Sequence, residues 1–139
     1  MDSGVLIRRD TVGLSKLLHA REITCVEPMT AFLAQVRAQN DWANAIVAMR
    51  NEDDLLEEAA ARGAEIDAGR SRGWLHGIPQ AIKDMAPSAG LRFTQSSPIL
   101  RDRVATEDAP FVARMRASGA VFKGEDEHAG IRAGIPNPV

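Results

Sequence analysis

Amphipathic helical runs alternate with short apolar runs along this chain, and that alternation restricts its fold more than any other feature. Leu14, Leu17, Leu18 and Arg21 recur at helical spacing behind Thr11 as cap, which predicts a helix over about residues 11–20. Thr24-Cys25-Val26-Glu27 reads as a capping box, with the Thr24 hydroxyl taking the Glu27 amide and the Glu27 carboxylate reaching back. Behind it Met29, Phe32, Leu33 and Val36 form one apolar stripe, closed by Asn40-Asp41. Ala43 to Met49 is short, apolar and partly β-branched, so a strand is expected there. Asn51 or Asp53 then caps a third helix to about Ala68, whose acidic first turn suits the positive end of the helix dipole. Leu55, Ala59 and Ile66 are its expected buried face, and Gly69 to Gly73 a surface loop.

From Trp74 the texture changes. Ile78 is pushed to extended angles by Pro79, and Gln80 to Asp84 reads as a short strand. Residues 85–105 are rich in Pro, Ser, Gly and Thr, a loop long enough to need a functional reason. Phe111, Val112 and Met115 mark a helix over about 107–118, and Ala120-Val121-Phe122 begins another strand. Helix and strand in this order are the rhythm of an α/β sheet. Residues 1–10 are expected to be a flexible N-terminus and 123–139 an irregular tail of a single incomplete domain.

Seventeen basic against nineteen acidic residues give a net charge of −2, which offers nothing to nucleic acid or an anionic membrane. No apolar run approaches the roughly 18–20 residues of a membrane span. Cys25 is the single cysteine, so an internal disulfide framework is excluded and a cytoplasmic location is expected. With no Tyr and six Phe or Trp, the core has to be built from aliphatic side chains and Met.

Lys83 is the candidate catalytic residue. A lysine buried at a strand end is costly as a cation, and its neutral form can act as a general base towards a hydroxyl. The apolar run Pro79, Ala81, Ile82 favours burial, and strand alternation turns the neighbouring Asp84 the other way. The residues alone favour an ordinary strand-end lysine with its head in water, since lysine is mostly exposed. Other candidates are weaker. Glu125, Asp126, Glu127 and His128 are adjacent acids and an imidazole, expected to be a solvated turn rather than a metal site. His76 reads as a loop histidine with a backbone bond, with a place facing a substrate pocket as the alternative. His19 is expected to be exposed or capping. Cys25, in a helix first turn that lowers a thiol pKa somewhat, is expected to be structural.

The decapeptide Leu75-His76-Gly77-Ile78-Pro79-Gln80-Ala81-Ile82-Lys83-Asp84 resembles the lysine motif of the amidase signature family. Ala89-Gly90-Leu91 with Thr94 and Ser97-Pro98 resembles that family's following loop, and Glu107 to Val121 its next helix and strand. Upstream, Leu14 to Val36 resembles the opening helices and Asn44 to Val47 the first strand, so the likeness is collinear from about Asp10 onward. The resemblance implies helices packed on a partial mixed sheet, the N-terminal portion of an amidase-signature fold. It also implies a Ser, cis-Ser, Lys triad, with Lys83 as the base that acts through a bridging serine on the serine nucleophile. Such a triad uses no metal and no organic cofactor, and its substrate is a small-molecule amide.

The sequence also departs from the family. The glycine- and serine-rich segment that carries both serines lies downstream of the lysine in the family and is not among these 139 residues. Ser96 and Ser97 stand in the wrong motif to replace them, and Ser96 occupies a place where the family commonly has Gly. Lys123 to His128 also differs from the family's usual turn. The expectation is a truncated amidase that is inactive alone. The alternative is a non-catalytic interaction module that forms a homo-oligomer or joins a partner chain through exposed apolar surface.

Overall fold

The structure, a computed structural model, describes residues 2–126, the side chains of Glu125 and Asp126 excepted. A helical turn, α1 (Ser3–Leu6), precedes α2 (Thr11–His19) and the long α3 (Val26–Ala43). Strand β1 (Ile46–Met49), helix α4 (Glu52–Asp67), strand β2 (Pro79–Lys83), helix α5 (Pro110–Ala117) and strand β3 (Val121–Asp126) follow. The sheet order is β1-β3-β2, with β1 antiparallel and β2 parallel to β3, so the sheet is mixed. This is the expected architecture of helices on a small mixed sheet.

Local chemistry moves several boundaries. Asp10, not Thr11, caps α2, because its carboxylate accepts the Gly13 amide at 2.6 Å. Only the return half of the capping box forms. The Glu27 carboxylate accepts the Thr24 amide at 2.8 Å and also the Thr24 hydroxyl, so that hydroxyl donates instead of taking the Glu27 amide. Helix α3 outruns Asn40-Asp41 and ends at Asn44, which adopts the left-handed φ of 45° that Asn tolerates. The Asn40 amide then bonds both the N–H and the C=O of Ile46, at 2.8 and 2.9 Å, and so starts β1 three residues later than Ala43. At α4 the choice falls on Asn51, whose side chain accepts the amides of Asp53 and Asp54. Residues 1–10 hold the α1 turn, whose Leu6 is buried in the core.

Adjacent Val121 and Phe122 point to opposite faces of β3 and anchor two separate cores. Val121 joins Leu14, Leu18, Met29, Leu33 and Leu55 under α2, α3 and α4. Phe122 joins Ile82, Ala86, Ala120 and Val112 under α5. Strand β3 continues past Phe122 because Lys123 is bulged out: Gln80 faces Phe122, while Ala81 faces Gly124. Gly124 is required by close approach, since a Cβ there would sit 2.1 Å from the Ala48 carbonyl oxygen. Among the described residues no helix is long and apolar enough to cross a membrane.

Candidate functional site

The site is built at the carboxyl end of β2. Ile82 is buried, Lys83 exposed and Asp84 buried again, the alternation expected of a strand. Of the two placements open to Lys83, buried base or strand-end lysine with its head in water, the exposed one is found. Lys83 lies on an edge strand, its ammonium faces outward, and it makes no hydrogen bond or ion pair among the described residues. The buried member of the pair is Asp84, 2% exposed.

Asp84 organises the loop after the strand. Its Oδ1 accepts the Thr94 amide at 2.7 Å, and its Oδ2 accepts the Thr94 hydroxyl and, at 3.2 Å, the Ser96 amide. A carboxylate taken out of water needs such partners, and here it has three. The loop it holds is a tight turn closed by the Ser97 amide on the Thr94 carbonyl at 2.9 Å. Both central residues are left-handed, Gln95 at φ 52° and Ser96 at φ 57°, a conformation that favours Gly. Ser96 therefore holds a positive φ at the place where the resembling family has Gly. The rest of segment 85–105 is ordered by pairing of Phe93 with Arg103 and of Leu91 with Ala105. The Arg103 guanidinium stacks 4.9 Å from the Phe93 ring centre. Sequence reasoning missed Asp84 as the loop's anchor. The available signal was a buried-phase acid followed ten residues later by the Thr94-Gln95-Ser96 turn.

The start of the motif is fixed from behind. Gly77 has φ +75°, and a Cβ on it would lie 2.3 Å from the Cys25 sulfur. Its amide donates to the Gly119 carbonyl at 2.9 Å, which ties the motif to the turn before β3. His76 is fully buried and structural. Nδ1 accepts the Arg72 amide at 3.0 Å, and Nε2 lies 2.9 Å from the Arg62 carbonyl that it serves as donor. Burial pushes the His76 pKa down, against the opposing pull of the Arg62 carbonyl and the Glu65 carboxylate. Cys25 is likewise structural. Burial, helped by the Asp67 charge, pushes its thiol up to about 11, which overrides the lowering expected from the helix terminus. His19 is exposed and bonds the Ser15 carbonyl and the Ser71 hydroxyl. The side chains of Glu125, Asp126, Glu127 and His128 lie outside the described residues, and no metal-ligating cluster occurs among the described ones.

A lysine at the carboxyl end of a strand paired in parallel with its neighbour, followed by a carboxylate-clamped loop, lies where open α/β sheets bind their ligands. The family model for amidases matches residues 27–127. The chain belongs to the amidase family. It is 37% identical over 120 residues to a glutamyl-tRNA(Gln) amidotransferase subunit of Agathobacter rectalis, covering 86% of this chain and 24% of that protein. It is 38% identical over 120 residues to an amidase of Pseudomonas putida, covering 86% of this chain and 25% of that one. The crystal structure of the peptide amidase of Stenotrophomonas maltophilia superposes with a TM-score of 0.78 at 31% identity, over 86% of this chain and 24% of that one. A fatty acid amide hydrolase at 20% identity shares the fold, with a TM-score of 0.80 over 89% of this chain and 22% of that one. The chain thus spans about a quarter of the length of the relatives it matches.

Proposed function

We propose that these residues carry the general base of an amide hydrolase, Lys83, and that the 139-residue chain is inactive alone. The observation that carries this reading is the placement of Lys83 in the motif at the carboxyl end of β2. In open α/β sheets ligands bind beyond that end. Asp84, one residue on, is spent on the loop and leaves the lysine as the group available for chemistry. Lys83 is exposed and its ammonium makes no hydrogen bond among the described residues, which supports the proposal of inactivity. In the completed site the lysine would deprotonate a bridging serine, which passes its effect to a serine nucleophile attacking the amide carbonyl. The proposed substrate is a small-molecule amide, in line with the amidase and peptide amidase among the relatives, and the proposed site of action is the cytoplasm.

Two measurements test this. The 139-residue chain is incubated with a peptide amide, glutamine and an aryl anilide; no ammonia or aniline release above buffer is expected. Turnover that Lys83→Ala abolishes would overturn the inactivity. To test the base itself, the chain replaces the matching quarter of the Pseudomonas putida amidase. Lys83→Ala should then cost this chimera about 10²–10⁴-fold in kcat, the usual worth of a positioned acid–base group. Full activity of the substituted chimera removes Lys83 from the mechanism.

A second reading is a non-catalytic module that binds itself or another chain. Val47 and Met49 are exposed on one face of edge strand β1, and Ile99 is 92% exposed. Such edges invite pairing. Light scattering that shows a monodisperse monomer at high concentration would reject self-association.

A further inference from the structure

Five side chains along α4 and its neighbouring loops form a chain of alternating charge. Arg50 Nη1 meets Glu58 at 2.8 Å, and Glu58 meets Arg62 at 3.4 Å. Arg62 meets Glu65 at 3.1 Å, and Glu65 meets Arg72 at 2.5 Å. Three guanidiniums thus share two carboxylates, so the chain carries one positive charge in excess. The adjoining pair of Arg116 and Asp108 adds none. Most of this network is withdrawn from water, with side-chain exposures of 28% at Arg50, 24% at Glu58 and 15% at Arg62. An excess charge in that setting is screened less than one on the open surface, so it attracts a counter-charge more strongly.

The Arg50 end of the network opens on a cavity of about 260 Å³. Arg50, Glu58, Arg116, Phe122 and residues 89–91 line it. Both arginines are fixed before any ligand arrives. Arg50 Nη1 is held by Glu58 and by the Phe122 carbonyl at 2.9 Å. Arg116 is clamped in two-pronged fashion by Asp108, donates to Ser88 at 3.1 Å, and stacks 4.8 Å from the Phe122 ring centre. A guanidinium carries five N–H groups in a flat fork. After these bonds, Nε and Nη2 of Arg50 and Nη1 of Arg116 remain uncommitted among the described residues. Glu58 also lines the cavity; its negative charge is one of the two already counted in the network, and both its oxygens are engaged by Arg50 and Arg62. Leu91 adds an apolar side chain to the lining, beside which a short carbon stem could lie.

We infer that this cavity is a binding site for a small oxyanion, a carboxylate or a phosphoryl group, bridged between Arg50 and Arg116. Guanidinium forks match both groups, and the fixed arrangement limits the ordering cost of binding. The site does not include Lys83, so it stands or falls separately from the amide-hydrolase reading.

The test is a titration of the 139-residue chain, labelled with nitrogen-15 and followed by magnetic resonance at constant ionic strength. One arm adds inorganic phosphate and the other sodium acetate, each replacing sodium chloride. Saturable shifts of the Arg50 and Arg116 Nε–H signals and of the Gly90 amide are expected in at least one arm. The arm that saturates at lower concentration names the ligand's headgroup. Ala89→Glu puts a carboxylate in the cavity from an exposed side chain, and Arg50→Gln removes one fork. Each should weaken binding at least tenfold, while Lys83→Ala leaves it unchanged. Circular dichroism checks that Arg50→Gln is folded, and Ala89→Glu supplies the result independently if it is not. Shifts that stay linear in both arms, or saturable binding that Ala89→Glu leaves intact, overturn the proposal.

Discussion

Replacing Ser96 by Gly should make this protein more stable. Ser96 sits at φ 57° in the turn clamped by Asp84, and its side chain is exposed with no hydrogen bond among the described residues. A residue with a Cβ loses about 1–2 kcal/mol in the left-handed conformation. Glycine removes that cost but gives back about 0.5–1 kcal/mol through the greater freedom of the unfolded chain. The bond from the residue 96 amide to Asp84 Oδ2 is made by the backbone and survives the substitution. Taking the middle of both ranges, the balance is a gain of about 0.75 kcal/mol. In a domain of this size that raises the midpoint of thermal unfolding by roughly 2–4 °C. Urea unfolding with linear extrapolation measures the same quantity, and the slope should not change, since no surface is newly exposed. Ser96→Ala is the control, because it deletes the hydroxyl but keeps the Cβ, and it should bring no gain. If Ser96→Gly is neutral or destabilising, or if Ala gains as much as Gly, the backbone cost ascribed to this turn is refuted.

Other substitutions and conditions probe the frame behind the site. Gly77→Ala combines φ +75° with a Cβ 2.3 Å from the Cys25 sulfur. It should cost about 2–4 kcal/mol in urea unfolding, from left-handed strain plus overpacking. The Cys25 thiol, held at about 11 by burial, should resist a soluble disulfide reagent at pH 8 until the chain unfolds. Because its folded pKa is raised, its contribution to stability is full below the ordinary value of 9.0 and declines as pH rises towards about 11. His76 gives the opposite slope. Its folded pKa is depressed, so the unfolded state binds the proton first and stability should fall as pH drops below the ordinary value of 6.5. His76→Phe, if folded, should flatten that acid limb in urea titrations.

Much of this fold was legible because apolar spacing and cap residues act locally. The stripe of Met29 and Leu33, the Asn51 cap and the opposed directions of Lys83 and Asp84 all rest on neighbours within a few positions. What the sequence hid depends on distant partners. Helix α3 overran its expected end because the Asn40 side chain was needed at Ile46, six residues on. Strand β3 outlasted its apolar start because Gly124 fits under the Ala48 carbonyl of another strand. The environment of Lys83 could be read in two ways, and the exposed one is found. An apolar flank suggested burial, yet Pro79 and Ile82 pack inward while the lysine points away on a sheet edge. The family motif located the residue, but local sequence could not supply its surroundings.

The order of the strands also constrains how the molecule comes into being. Strand β3 lies between β1 and β2 but follows both in the chain, and it pairs Met49 with Gly124 across 75 positions of sequence. During synthesis the two flanking strands leave the ribosome before the strand that joins them, and neither can complete the sheet with the other. Helices α2 to α4 can collapse early on Leu14, Leu18, Met29 and Leu55, but Val121 enters that core only at the end. Until then β1 and β2 present unsatisfied backbone groups to any extended segment nearby. The nascent chain is therefore most exposed to mispairing in the interval between emergence of Lys83 and emergence of Gly124, and a chaperone would be needed most in that interval.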